Sequence, residues 1–125
     1  MSLDSNNPLK TKSWLKLINH FKKIKDIHIL EHFISDKSRG KKFSIKWKDF
    51  LLDFSKNNID GETINLFQKL LNEINLKGSI EKYFSGEKIN LTESRAVLHT
   101  ALRADGMSKI LVEGKNIMSE IVETR

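Results

Sequence analysis

The chain has 125 residues, 38% hydrophobic and 30% charged, with a net charge of +6 and no cysteine. That length holds one domain, and the missing thiols exclude disulfides, thiolate metal sites and a cysteine nucleophile, as fits a cytosolic protein. The sequence has no run of about 18 apolar residues that could cross a membrane, and its first ten residues, MSLDSNNPLK, lack the apolar core of a secretory signal.

Ser13 is the expected N-cap of a first helix, whose apolar face is Trp14, Leu17, Ile18, Phe21 and Ile24. Ile27, Leu30, Phe33 and Ile34 form a second apolar group, and Ser38-Arg39-Gly40 interrupts it. The period then changes from 3.6 to 2. Phe43, Ile45 and Trp47 alternate with polar residues, as do Phe50, Leu52 and Phe54 in part, which predicts two strands joined near Lys48-Asp49. Asn57 to Gly61 reads as a turn with Asp60 as a cap. Ile64, Phe67, Leu70, Leu71 and Ile74 then give a helix ending near Gly78, and a shorter helix covers Ser79 to Phe84. Gly78 and Gly86 read as turns.

Thr92 and Glu93 open a further predicted helix with Val97, Leu98, Ala101 and Leu102 as its buried stripe, stopped by Asp105-Gly106. Ile110 to Val112 reads as a short strand, Glu113-Gly114-Lys115 as a turn, and Asn116 as the cap of a last helix still running at Arg125. The expected fold class is mostly α with a small β-hairpin. Trp14, Trp47 and the phenylalanines stand at core spacings, which favours packing over base stacking.

Residues 1–60 hold thirteen Lys and Arg against seven Asp and Glu, whereas residues 61–125 hold nine of each. The excess gathers in Lys22-Lys23-x-Lys25 and Arg39-Gly40-Lys41-Lys42. Such clusters can form a footprint for nucleic acid. Dispersal among acids, with no recognition motif, favours a solvated surface instead.

The stretch Phe84 to Arg103, FSGEKINLTESRAVLHTALR, resembles the N-terminal segment of the glucose-6-phosphate isomerase family. There the run reads Gly-Glu-Lys-Ile-Asn, then Thr-Glu-x-Arg-Ala-Val-Leu-His-x-Ala-Leu-Arg. Leu52 to Asn57 is similar to the family's Val-Asp-Tyr-Ser-Lys-Asn, with Phe54 in place of tyrosine. Ile110 to Met118 is similar to Ile-Leu-Val-Asp-Gly-Lys-Asp-Val-Met. The resemblance covers roughly Phe43 to Val122. Residues 1–42 fit as a helical lead-in, and residues 43–125 as the family's opening segment. The departures are small: Ala104 to Met107 replaces a longer stretch, Ser119 stands where proline is common, and the hairpin is shortened.

The resemblance implies an α/β enzyme of two α-β-α sandwich domains, a cytoplasmic homodimer that interconverts a sugar aldose phosphate and ketose phosphate in glycolysis and gluconeogenesis. It implies no cofactor, no metal, and no nucleic-acid or membrane partner. Aldose–ketose isomerisation needs a base poised near neutrality, a ring-opening group, and donors for the phosphate and enediolate. The family's glutamate, histidine, lysine, arginine and Ser/Thr-rich phosphate loop lie beyond the segments matched here, so none maps onto this chain. These 125 residues therefore read as a truncated scaffold portion, inactive alone, with exposed apolar surface where the larger sheet would dock.

Two local patterns remain. Arg95, His99 and Arg103 fall at i, i+4 and i+8 on the predicted helix, an arrangement that can meet an anion, although bonding to neighbouring carbonyls and carboxylates is the preferred reading. His28 and His32 have the i, i+4 spacing zinc can use, but no third ligand and no His-Glu-x-x-His accompany them. The alternative function is a free-standing helical binding module that uses basic residues 1–60 for an acidic partner.

Overall fold

The computed structural model describes residues 6–125. They form two compact units, one of residues 8–70 and one of residues 71–125 with the N-terminal tip. The chain is mostly helical with a small antiparallel hairpin, and a second, two-residue hairpin is added near the C-terminus.

In the first unit a 3₁₀ turn over Pro8–Lys10 leads into α1 (Lys12–Ile24). The cap is Thr11, not Ser13: Thr11 is extended, and its Oγ1 accepts from the Trp14 N–H at 3.1 Å. Ser13 lies inside the first turn and is buried. It shares the inward face with Leu17, His20 and Ile24, so that face carries a hydroxyl and an imidazole among its apolar groups. Phe21 and Ile18, expected in the core, are exposed. α2 (Ile29–Ser35) is capped by the His28 ring, and none of its residues is fully buried. The break expected at Ser38-Arg39-Gly40 is instead the one-turn helix α3 (Arg39–Lys42). Asp36 accepts from the Ser38 N–H at 3.0 Å and Ser38 hydroxyl at 2.6 Å and starts that turn.

β1 (Ser44–Trp47) and β2 (Phe50–Asp53) pair antiparallel, with Trp47 opposite Phe50 and Ile45 opposite Leu52. Lys48-Asp49 makes the turn at the expected place, with Lys48 at φ 51°. Pairing continues past the strands through the Phe54 N–H to the Phe43 carbonyl, under an edge-to-face Phe43–Phe54 contact of 5.8 Å. Phe43 is buried, whereas Trp47 and Phe50 stack on each other in the open. α4 (Gly61–Glu73) starts at Asp60 as expected and buries Thr63, Leu66 and Leu70. The division between units falls within it.

In the second unit α4 stops at Glu73, short of Gly78, because Asn75 takes the left-handed conformation at φ 51°. Its side chain accepts from the Gly78 N–H and caps α5 (Leu76–Ser85), so Gly78 lies within a helix. Gly86, at φ 83°, does end that helix, and a Cβ there would stand 2.7 Å from the Leu111 carbonyl oxygen.

The helix expected between the Thr92 cap and the Asp105-Gly106 stop is not formed. Asn90 Oδ1 accepts from the Thr92 hydroxyl and the Glu93 N–H, Ser94 turns left-handed, and the Asn90 and Arg95 backbones bridge. This local side-chain bonding competes with the helix at its first turn. Only a 3₁₀ turn remains, over Ala101–Arg103. β3 (Leu111–Val112) and β4 (Lys115–Asn116) enclose the Glu113-Gly114 turn. Asn116 Oδ1 accepts from the Met118 N–H at the start of α6 (Met118–Thr124). Met118 and Ala101 are the best-buried apolar residues here, and the Arg125 guanidinium ties the end of α6 to the Ala101 and Ala104 carbonyls.

Candidate functional site

Among the described residues, a buried ionisable cluster that sequence reasoning missed joins α1 to the start of α4. His20, 4% exposed, places Nε2 2.9 Å from both Asp60 Oδ1 and Thr63 Oγ1. Thr63 also donates its N–H (2.9 Å) and hydroxyl (3.0 Å) to the same carboxylate, so Asp60 caps α4 and holds the ring at once. Burial pushes the Asp60 carboxyl up, but the Thr63 N–H and hydroxyl and the His20 ring outweigh it and hold the carboxyl below its ordinary value. The signal for this cluster was in the sequence: His20 sits on the Leu17–Ile24 stripe, where a polar side chain must find a buried partner.

The arrangement resembles a nucleophile–base–acid triad in composition only. In a triad the hydroxyl and the carboxylate engage opposite ring nitrogens. Here both meet Nε2, while Nδ1 is buried without a hydrogen bond, 3.6 Å from Glu62 Oε2. The hydroxyl proton is already directed at the carboxylate. The cluster pins two helices and has no proton relay. Beside it Trp14, Phe21, Ile24, Ile59 and Phe67 line an apolar cleft of about 400 Å³.

The anion candidates do not share a helix face, because their helix is absent. Arg95 pairs with Glu93 and borders a cleft of about 330 Å³ with His99. Arg103 donates to the His99 carbonyl and borders another, of about 510 Å³, with His99, Thr100 and Ser108. His28 and His32 are engaged separately: His28 Nδ1 accepts from the Leu30 N–H, and His32 Nε2 lies 2.8 Å from Asn58 Oδ1.

The basic cluster at 39–42 is not a free cationic stripe. Arg39 is 2% exposed. Its Nε donates to the Ser55 carbonyl at 2.7 Å, and one Nη donates to the Asn57 and Ile59 carbonyls at 2.8 and 2.9 Å. The guanidinium also lies 4.5 Å from the Phe43 ring centroid. Lys42 bonds Asp36 at 2.8 Å; with Ser38, that bond holds the Asp36 carboxyl at about 2. Lysine and arginine look alike in a charge count, and only the fold separates the buried one.

A family model described as phosphoglucose isomerase matches residues 53–125, more than half of the chain. The chain is 46% identical to the glucose-6-phosphate isomerase of Christiangramia forsetii over 119 residues, 95% of this chain and 22% of that protein. It is 49% identical to that of Buchnera aphidicola subsp. Schizaphis graminum over 116 residues, 92% of this chain and 21% of the relative. The likeness therefore extends into residues 1–42, and the chain spans about a fifth of the length of these relatives.

Proposed function

The chain belongs to the phosphoglucose isomerase family, and we propose that it serves as the N-terminal scaffold segment of a glucose-6-phosphate isomerase, which interconverts glucose 6-phosphate and fructose 6-phosphate. The observation that carries this is the near-complete alignment of the chain to curated isomerases at 46% and 49% identity, within about a fifth of their length. In this reading the substrate is a sugar phosphate and the whole enzyme is a cytoplasmic homodimer. Residues 1–42 are its helical lead-in, and residues 43–125 its opening segment.

The chemistry on view supports a scaffold reading over a catalytic one. Proton transfer between adjacent carbons needs a base that can reach substrate. The His20–Asp60–Thr63 cluster is committed to joining two helices, with Nδ1 enclosed. Arg39 is committed to three carbonyls. Arg95 is paired with Glu93, and Arg103 donates to the His99 carbonyl.

The test is a chimera in which residues 1–125 replace the matching portion of the C. forsetii enzyme, assayed for conversion of fructose 6-phosphate. The expected result is an active chimera, with no turnover by the 125-residue chain alone. A folded but inactive chimera, or turnover by the isolated chain free of host enzyme, would refute the reading.

A further inference from the structure

The β1–β2 hairpin carries an apolar face that its own unit leaves uncovered. The register puts Ile45, Trp47, Phe50 and Leu52 on one side, and Ser44, Lys46, Leu51 and Asp53 on the other. The four residues of the first side are 57–71% exposed. Trp47 and Phe50 form a ready platform, their ring centroids 5.9 Å apart and 26° from parallel. Clustered aromatic and branched side chains at this exposure mark an interaction site rather than a solvated surface.

The base of the hairpin is held firmly. Phe54 donates its N–H to the Phe43 carbonyl, Ser44 donates its hydroxyl to the Gly40 carbonyl at 2.6 Å, and Arg39 holds the Ser55 carbonyl directly below. The face is thus presented by a fixed stem, which lowers the ordering cost of docking.

We infer that this face, Ile45, Trp47, Phe50 and Leu52, is the docking surface for the remainder of the isomerase polypeptide, and that it is buried in the complete enzyme. The inference rests on the reading of the chain as an isomerase segment. Two observations choose this occupant. The curated relatives carry about four-fifths of their length outside the portion matched here, more than enough chain to cover one small face. A second copy of the chain is disfavoured by charge: with Arg39 buried and Lys42 paired to Asp36, the exposed charges of residues 37–53 are Lys37, Lys41, Lys46 and Lys48 against Asp49 and Asp53, and a two-fold pairing would set that net positive surround against itself.

The absence of cysteine gives a clean test. Ile45→Cys puts a single thiol on the apolar face, and Lys46→Cys puts one on the opposite face of the same strand. Maleimide labelling of residues 1–125 is followed by peptide mass, in the free chain and in the active chimera. The thiol at position 45 is expected to react readily in the free chain and at least about tenfold more slowly in the chimera, as a packed interface must open to be labelled. The thiol at position 46 keeps most of its reactivity in both. If Ile45→Cys Lys46→Cys pairs behave alike in an active chimera, the docking face is wrong while the isomerase reading stands. If position 45 in the free chain becomes protected as concentration rises, the occupant is a second copy and the inference fails. If wild-type and labelled chimeras are folded but inactive, the reading beneath the inference fails with it. Ile45→Ser supplies a second readout should the cysteine variants misfold: it lowers the melting temperature of the chimera and leaves that of the free chain unchanged, and equal effects on both would overturn the inference.

Discussion

Replacing Arg39 by alanine removes one donor shared by three carbonyls, those of Ser55, Asn57 and Ile59, at 2.7, 2.8 and 2.9 Å, and leaves Asn57 with the Ile59 N–H. Those carbonyls fix the loop that links β2 to α4. Hydrogen bonds to a charged group contribute about 1.5–3 kcal/mol each, and opening of the loop to water recovers part of the loss, so the net cost is about 3–5 kcal/mol. That is a large share of the roughly 5–15 kcal/mol that holds a domain together. Both tryptophans of the chain lie in this unit, so their emission reports its unfolding. With a urea dependence of about 1.5 kcal/mol per molar, the midpoint falls by about 2–3 M, or the variant is unfolded without denaturant. Arg39→Lys keeps the charge but not the fork, and falls between parent and alanine variant. Exposed Lys41→Ala, in the same basic run, stays within about 0.5 kcal/mol of the parent. An Arg39→Ala midpoint equal to that of Lys41→Ala would show that the buried guanidinium does not organise the loop.

Acid weakens the same unit through Asp60. Its folded carboxyl is held below the ordinary value, so its stabilisation is present above the ordinary carboxylate range and is lost as pH falls through the lower, folded value. Urea midpoints measured from pH 5 to pH 3 therefore decline, and Asp60→Asn, which cannot ionise, declines less steeply; parallel slopes would contradict the assignment. Gly86→Ala forces a Cβ to 2.7 Å from the Leu111 carbonyl at φ 83° and costs at least about 2 kcal/mol by circular-dichroism melting. The isolated chain binds a hydrophobic dye, and Trp47→Ser with Phe50→Ser lowers the dye fluorescence; an unchanged signal would place the exposed apolar surface elsewhere.

Elements with a strong, uninterrupted period were legible in the sequence. The hairpin turn at Lys48-Asp49, the Asp60 cap and the Asn116 contact to α6 all follow from alternation or from a short polar side chain before an apolar run. Elsewhere a neighbouring asparagine takes the role that the pattern gave to another residue. Gly78 reads as the helix stop, yet Asn75 also tolerates the left-handed conformation and sits where α4 must turn. Thr92 reads as a cap, yet the Asn90 side chain closes a turn before a helix can start. Periodicity named Trp47, Phe50 and Phe21 as core because apolar spacing does not state what covers a face. The burial of Arg39 was invisible for the opposite reason: its partners are backbone carbonyls, which leave no trace in side-chain pattern. His20 was readable in principle, as a polar group on a buried stripe.

We propose that these residues complete an isomerase that cannot work without them. The most direct test adds the purified 125-residue chain to the C. forsetii enzyme lacking its matching N-terminal portion and follows fructose 6-phosphate conversion. The account predicts that neither piece turns over substrate alone and that activity returns, saturably, on mixing. Full activity of the shortened enzyme by itself, or a folded shortened enzyme that the chain neither binds nor activates, would contradict it.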